Sequence, residues 1–129
     1  MREEASLWFR QAERDLEKAR NDLVTHDWDS AAFWSQQAAE KALKALLLSR
    51  GRVYRGHSLL ALAETAKSEL GLSVDDIIGD LRELTVHYTI SRYPNAANAF
   101  PYELYDEAKA RELVERARRV VEWVRRHLP

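Results

Sequence analysis

Cysteine is absent from the 129 residues. That absence removes disulfides, thiolate zinc sites and cysteine nucleophiles, and it is compatible with a reducing compartment. Only four glycines and three prolines interrupt the chain, so long regular elements have room to form. Gly51 and Gly56 are not a phosphate loop: no Gly-Lys-Ser/Thr follows them and no strand precedes them. No apolar run approaches the ~20 residues of a membrane span. The N-terminal MREEASLWF lacks an apolar signal core, so the expected location is cytoplasmic, without a membrane partner. Excess charge is missing too. The net charge is −1, which gives no global basic field for duplex DNA or an anionic bilayer and leaves only local patches.

What is present is helical periodicity. The length suits one domain, residues 1–129, able to bury a core without staples. In 3–26, Ala5, Phe9, Ala12, Leu16, Ala19 and Leu23 make one apolar stripe opposite alternating charges. Trp28 to Gly51 reads as a central helix, capped by Asp29 or Ser30 and ended by Gly51. Its apolar face holds Ala31, Ala38, Ala39, Ala42, Leu43 and Leu46; its polar stripe holds Gln37, Glu40, Lys41 and Lys44, with Phe33 intruding. Ser58 caps a third helix, 59–70, and Gly71 ends it. Ser73 with Asp76 resembles a capping box opening a fourth, whose buried stripe is Ile77, Leu81, Leu84 and Tyr88 and which Pro94 stops. Residues 93–103 lack periodicity, and 104–127 make a last helix with expected Glu115–Arg119 and Glu122–Arg126 pairs. The expected fold is all-α: an antiparallel up-and-down bundle of about five helices.

Three segments carry a family resemblance. Gln36-Gln37-Ala38-Ala39-Glu40-Lys41-Ala42-Leu43-Lys44, then His57-Ser58-Leu59, then Ser91-Arg92-Tyr93-Pro94-Asn95-Ala96 resemble, in order, the HEPN domain of higher eukaryotes and prokaryotes, in its stand-alone prokaryotic form. The resemblance implies the same bundle, usually dimeric, and a nucleotide-binding role. It also implies a small nucleotidyltransferase as partner in a two-protein, toxin–antitoxin-like system. This chain has no nucleotidyltransferase signature of its own: no Gly-Ser followed by an Asp-x-Asp strand for two metal ions.

Several constellations could carry chemistry. Arg82 and His87 match the Arg, four to six residues, His spacing of metal-independent HEPN ribonucleases. There the resemblance implies that the histidine does acid–base work at an RNA 2′-hydroxyl while the arginine steadies phosphate. Against this, Glu83 beside Arg82 repels RNA, and Glu83 with His87 makes a local i, i+4 pair. Five residues also separate Arg82 and His87 by about 140° around a helix at ~100° per residue. Tyr88, Arg92 and Tyr93 form a second set: a guanidinium among rings suits a nucleotide phosphate and its base, or else it caps the helix end. Phe33, Gln37, Glu40, Lys41 and Lys44 form a third, suited to a two-fold dimer in which Glu40 of one copy meets Lys41 or Lys44 of the other. Arg50, Arg52 and Arg55 beside Tyr54 form a basic and aromatic loop, which reads either as ordinary exposed surface or as a phosphate and base contact. His57, ahead of the Ser58 cap, is expected to brace its turn. His26, Asp27 and Asp29 read as a capped turn, with no metal or other cofactor expected. Nucleotide or RNA binder, ribonuclease and non-catalytic helical adaptor therefore all stand as readings.

Overall fold

The computed structural model describes residues 2–129. Its elements are α1 (Glu3–Thr25), α2 (Trp28–Ser49), α3 (Leu59–Leu70), α4 (Ile78–Thr85), α5 (His87–Ile90), α6 (Pro94–Ala97) and α7 (Glu107–His127). A 3-10 turn, Pro101–Glu103, lies before α7, and no strand occurs among these residues. The all-α bundle is as expected, with seven helical segments in place of about five.

The long helices α1, α2 and α7 have 23, 22 and 21 residues, each about 30 Å at ~1.5 Å per residue. They pack on one another, and α2 also meets α3, α4 and α5. Small side chains make that centrality possible: Ala31, Ala32, Ala38, Ala39, Ala42 and Ala45 are all fully buried, so neighbours approach α2 on almost every side. Trp123, Leu43, Leu46, Leu81 and Leu113 fill the space between, each contributing roughly 1.5–3 kcal/mol by burial.

Ser58 caps α3 as expected, its Oγ accepting from Ala61 N–H, and Gly71 ends it in the left-handed region. Elsewhere the boundaries differ. Neither Asp29 nor Ser30 caps α2; the N-cap is Asp27, whose carboxylate instead accepts from the Thr25 hydroxyl. Gly51, however, ends the helix as expected: it lies just past the C-cap Arg50 at φ +75°, its N–H on the Leu48 carbonyl and the Arg52 N–H on the Leu47 carbonyl. Ser73 and Asp76 form no capping box: the Ser73 hydroxyl accepts from Asp75 N–H, a local turn wins, and α4 starts at Ile78. The expected fourth helix is interrupted at Val86, where Thr85 gives its hydroxyl to the Leu59 amide as acceptor. The 93–103 stretch holds two short turns, each begun by a proline, with Asn98 in the left-handed region between them. The last helix begins at Glu107, because Asp106 caps it through Lys109 N–H at 2.8 Å. On its surface Glu115 meets Arg118 as well as Arg119, and Glu122 pairs with Arg125 rather than Arg126.

Candidate functional site

The three segments that carry the resemblance lie far apart in sequence and meet at one place. Gln36, on α2 and fully buried, donates its amide to Glu40 (3.2 Å) and to the His57 carbonyl (3.1 Å). Glu40 is 3% exposed. Its carboxylate accepts from Lys44 Nζ at 3.1 Å and lies 3.0 Å from His57 Nδ1. A buried carboxylate is tolerable only with such partners. They fix His57 over Tyr88, the two rings stacked with centroids 3.8 Å apart. The His57 side chain stays 48% exposed. Its Nε2 has no partner among the described residues.

Arg92 completes the cluster. Its guanidinium carbon lies 4.5 Å from the Phe33 ring centroid, 4.7 Å from Tyr88 and 4.8 Å from Tyr93. Its Nε donates to the Tyr88 carbonyl at 3.2 Å. One nitrogen therefore serves the helix end, while the two terminal nitrogens meet no acceptor among the described residues. The residue is exposed. Three rings and one backbone bond hold a charged fork open to solvent, and such an arrangement suits a phosphate with an attached base.

The Arg82–His87 pair is not brought together. His87 is 7% exposed and shares a 2.6 Å hydrogen bond with the Tyr105 hydroxyl, deep beside the start of α7. Burial pushes its pKa down to about 4, with Lys109 acting in the same direction. Burial also pushes the Tyr105 hydroxyl up, so it remains a phenol. Arg82 is exposed and lines the groove between α3 and α4. The Glu83 carboxylate makes no ion pair with His87 and reaches Lys109 at 3.4 Å; its charge and its backbone carbonyl only oppose the downward shift of His87.

The polar stripe of α2 needs the largest correction. It faces the protein, not water, because α1 and the 57 loop cover it. Lys41 pairs with the fully buried Asp15 of α1. Lys44 is occupied with Glu40, and Gln37 donates to Gln36 at 2.8 Å. The charges expected to link two copies are spent within one chain, and Phe33 belongs to the Arg92 cluster. Periodicity alone undervalues His57 and places Glu40 at the surface. A usable signal existed: the first two matched segments each contribute a polar group that would be costly alone. Among the other candidates, His26 closes α1 in the left-handed region and stacks on Trp28, with ring centroids 4.9 Å apart.

The model of the HEPN domain matches residues 5–127. The chain is 29% identical over 130 residues to the Putative toxin MJ1304 of Methanocaldococcus jannaschii, covering 94% of this chain and 86% of that protein. Among solved structures, TT1696 from Thermus thermophilus is 34% identical with a TM-score of 0.88, covering 96% of this chain and 98% of that one. ST0689, an archaeal HEPN homologue, is 40% identical with a TM-score of 0.77, over 94% of both chains.

Proposed function

The chain belongs to the HEPN domain family, and on that premise we propose that it is a toxin-like protein that holds a nucleotide or RNA phosphate at Arg92, with the base against Tyr88 or Tyr93. One observation carries the proposal. The guanidinium is fixed by Phe33, Tyr88 and Tyr93 and by the Tyr88 carbonyl, yet keeps two nitrogens for a ligand. Preorganisation of this kind lowers the ordering cost of binding. With a net charge of −1, attraction is local and affinity falls with salt.

The toxin-like role rests on the M. jannaschii relative's name, and a small nucleotidyltransferase is the partner such a two-protein system calls for. A homodimer is part of the same proposal. Its contact uses the segment that exposes Val86, Phe100, Tyr102 and Leu104, apolar surface that a second copy would cover. Sedimentation as a monomer at micromolar concentration would remove that part.

The central test is Arg92→Ala. It weakens AMP or RNA binding by about 1–3 kcal/mol, the scale of a charge-assisted hydrogen bond, and leaves the melting temperature near the parent's. Arg92→Lys recovers only part, since an ammonium lacks the planar fork. Unchanged binding with a much lower melting temperature makes Arg92 a helix cap and ends the proposal.

A further inference from the structure

Across the His57 turn from Arg92 lies a concavity of about 320 Å³. That is near the lower end of the ~300–1,000 Å³ typical of small-molecule sites. The basic and aromatic loop 50–57 folds back here over α1 and α2. Glu4, Trp8, Lys44, Tyr54 and Arg55 line it. Trp8 and Tyr54 are half-buried and present ring surface. Lys44 Nζ lies 5.7 Å from the Trp8 ring centroid. Arg55 is exposed and has no acidic partner among the described residues. Gly56 makes the wall thin: its φ is +124°, and a Cβ there would come within 3.4 Å of the Tyr54 ring. Only glycine adopts that conformation readily.

The two sites share that wall. Gly56 lines the pocket, and the next residue, His57, stacks on Tyr88. Lys44 faces the pocket and holds Glu40, which holds His57. Rings plus cations on both sides of a one-residue ridge are the chemistry of stacked bases with phosphates between them. We infer that the Trp8–Tyr54–Arg55 pocket is a second base-and-phosphate subsite, and that one strand spans it and the Arg92 cluster. This rests on the Arg92 reading. Arg55 takes a phosphate, Trp8 or Tyr54 stacks on a base, and the Glu4 carboxylate accepts from an exocyclic amine.

The test uses AMP and the trinucleotide ApApA in titration calorimetry, with the parent, Arg55→Ala and Trp8→Leu. ApApA binds the parent at least about tenfold tighter than AMP, the scale of one added stacked base. Arg55→Ala and Trp8→Leu lose most of that gain, on the same scale, while the part of AMP binding that Arg92→Ala removes persists in both. Arg92→Ala weakens both ligands. A trinucleotide carrying 4-thiouridine crosslinks under light to the peptide holding Trp8 or Tyr54. If ApApA gains nothing over AMP, if Arg55→Ala retains the gain, or if crosslinks avoid both peptides, the subsite is wrong while the Arg92 site stands. If neither ligand binds the parent, both fall together. Arg55 is exposed, so its variant tests binding and not folding.

Discussion

His57 and His87 sit 30 positions apart by sequence number and have opposite environments. His87 satisfies a spacing motif, but its ring is buried against Tyr105 and held neutral. His57 satisfies no catalytic spacing, yet it is half-exposed, backed by a buried carboxylate and stacked on a ring that also touches Arg92. A motif specifies order along the chain. Function needs a polar group with both a fixed orientation and access, and of these two rings His57 has both. Acid–base work by His87 at neutral pH would require access and a pKa nearer 7. In the single chain His87 is a core histidine, and the bundle's end around Arg92 is the open one.

The largest expected effect separates the two rings by stability. His87→Ala removes a buried ring and orphans the Tyr105 hydroxyl, so unfolding in urea should become easier by about 2–4 kcal/mol. His57→Ala should cost less than about 1 kcal/mol, because Glu40 keeps Lys44 and Gln36 and the lost ring was half in water. Nucleotide affinity should shift the other way, weakened by His57→Ala and unchanged by His87→Ala in the folded fraction. Equal destabilisation by both would erase the contrast.

A smaller effect sharpens it through pH. With a folded pKa near 4 and an unfolded one near 6.5, His87 takes up a proton first in the unfolded chain. Stability is whole above pH ~6.5 and is lost as the pH falls toward about 4. Between pH 7 and pH 5 the loss should be about 2 kcal/mol. Glu112 and Glu115, held low mainly by Arg116 and Arg118, lose their contribution only at more acid pH. Asp22, raised by burial, acts in the opposite sense. His87→Gln should flatten the difference between pH 7 and pH 5. A parent equally stable at both would mean that the ring is solvated.

Much of the bundle is legible in the chain because apolar periodicity is a local signal. The limits of α3 follow from Ser58 and Gly71, whose roles depend only on the next few residues. The start of α7 is set by an equally local cap, Asp106 with Lys109 N–H, which lies inside the 104–127 span that periodicity alone assigns to the helix. Buried charges are the least legible. Asp15 looks like one more member of α1's alternating surface, but its partner, Lys41, is 26 residues away. Glu40 looks like a wet residue until His57, 17 residues on, is folded against it. The Arg92 cluster is half visible. Tyr88 and Tyr93 flank it in sequence, whereas Phe33 arrives from another helix, where its sequence neighbours point to a different surface.

The smallest expected effect concerns Arg82, and it is the one that could reverse the ranking of the two regions. Arg82 is exposed, makes no ion pair among the described residues, and lines the broad α3–α4 groove with Glu64, Lys67 and Asp75. Nothing in the single chain depends on its charge. Arg82→Ala should therefore change stability by no more than about 0.5 kcal/mol, as for most exposed positions, and should leave AMP binding at Arg92 unchanged. RNA cleavage in EDTA, measured on the parent and on this variant, is the decisive companion. Should the parent cleave and Arg82→Ala fail to, with an undisturbed melting curve, Arg82 would act on RNA from a surface the single chain leaves open. His87 would then have to be uncovered by a rearrangement around Tyr105, or another base supplied by a second copy. Should Arg82→Ala behave as the parent in every assay, the Arg–His spacing is carried by a core histidine and a surface arginine, and the cluster around Arg92 and His57 remains the proposed ligand site, to be decided by Arg92→Ala.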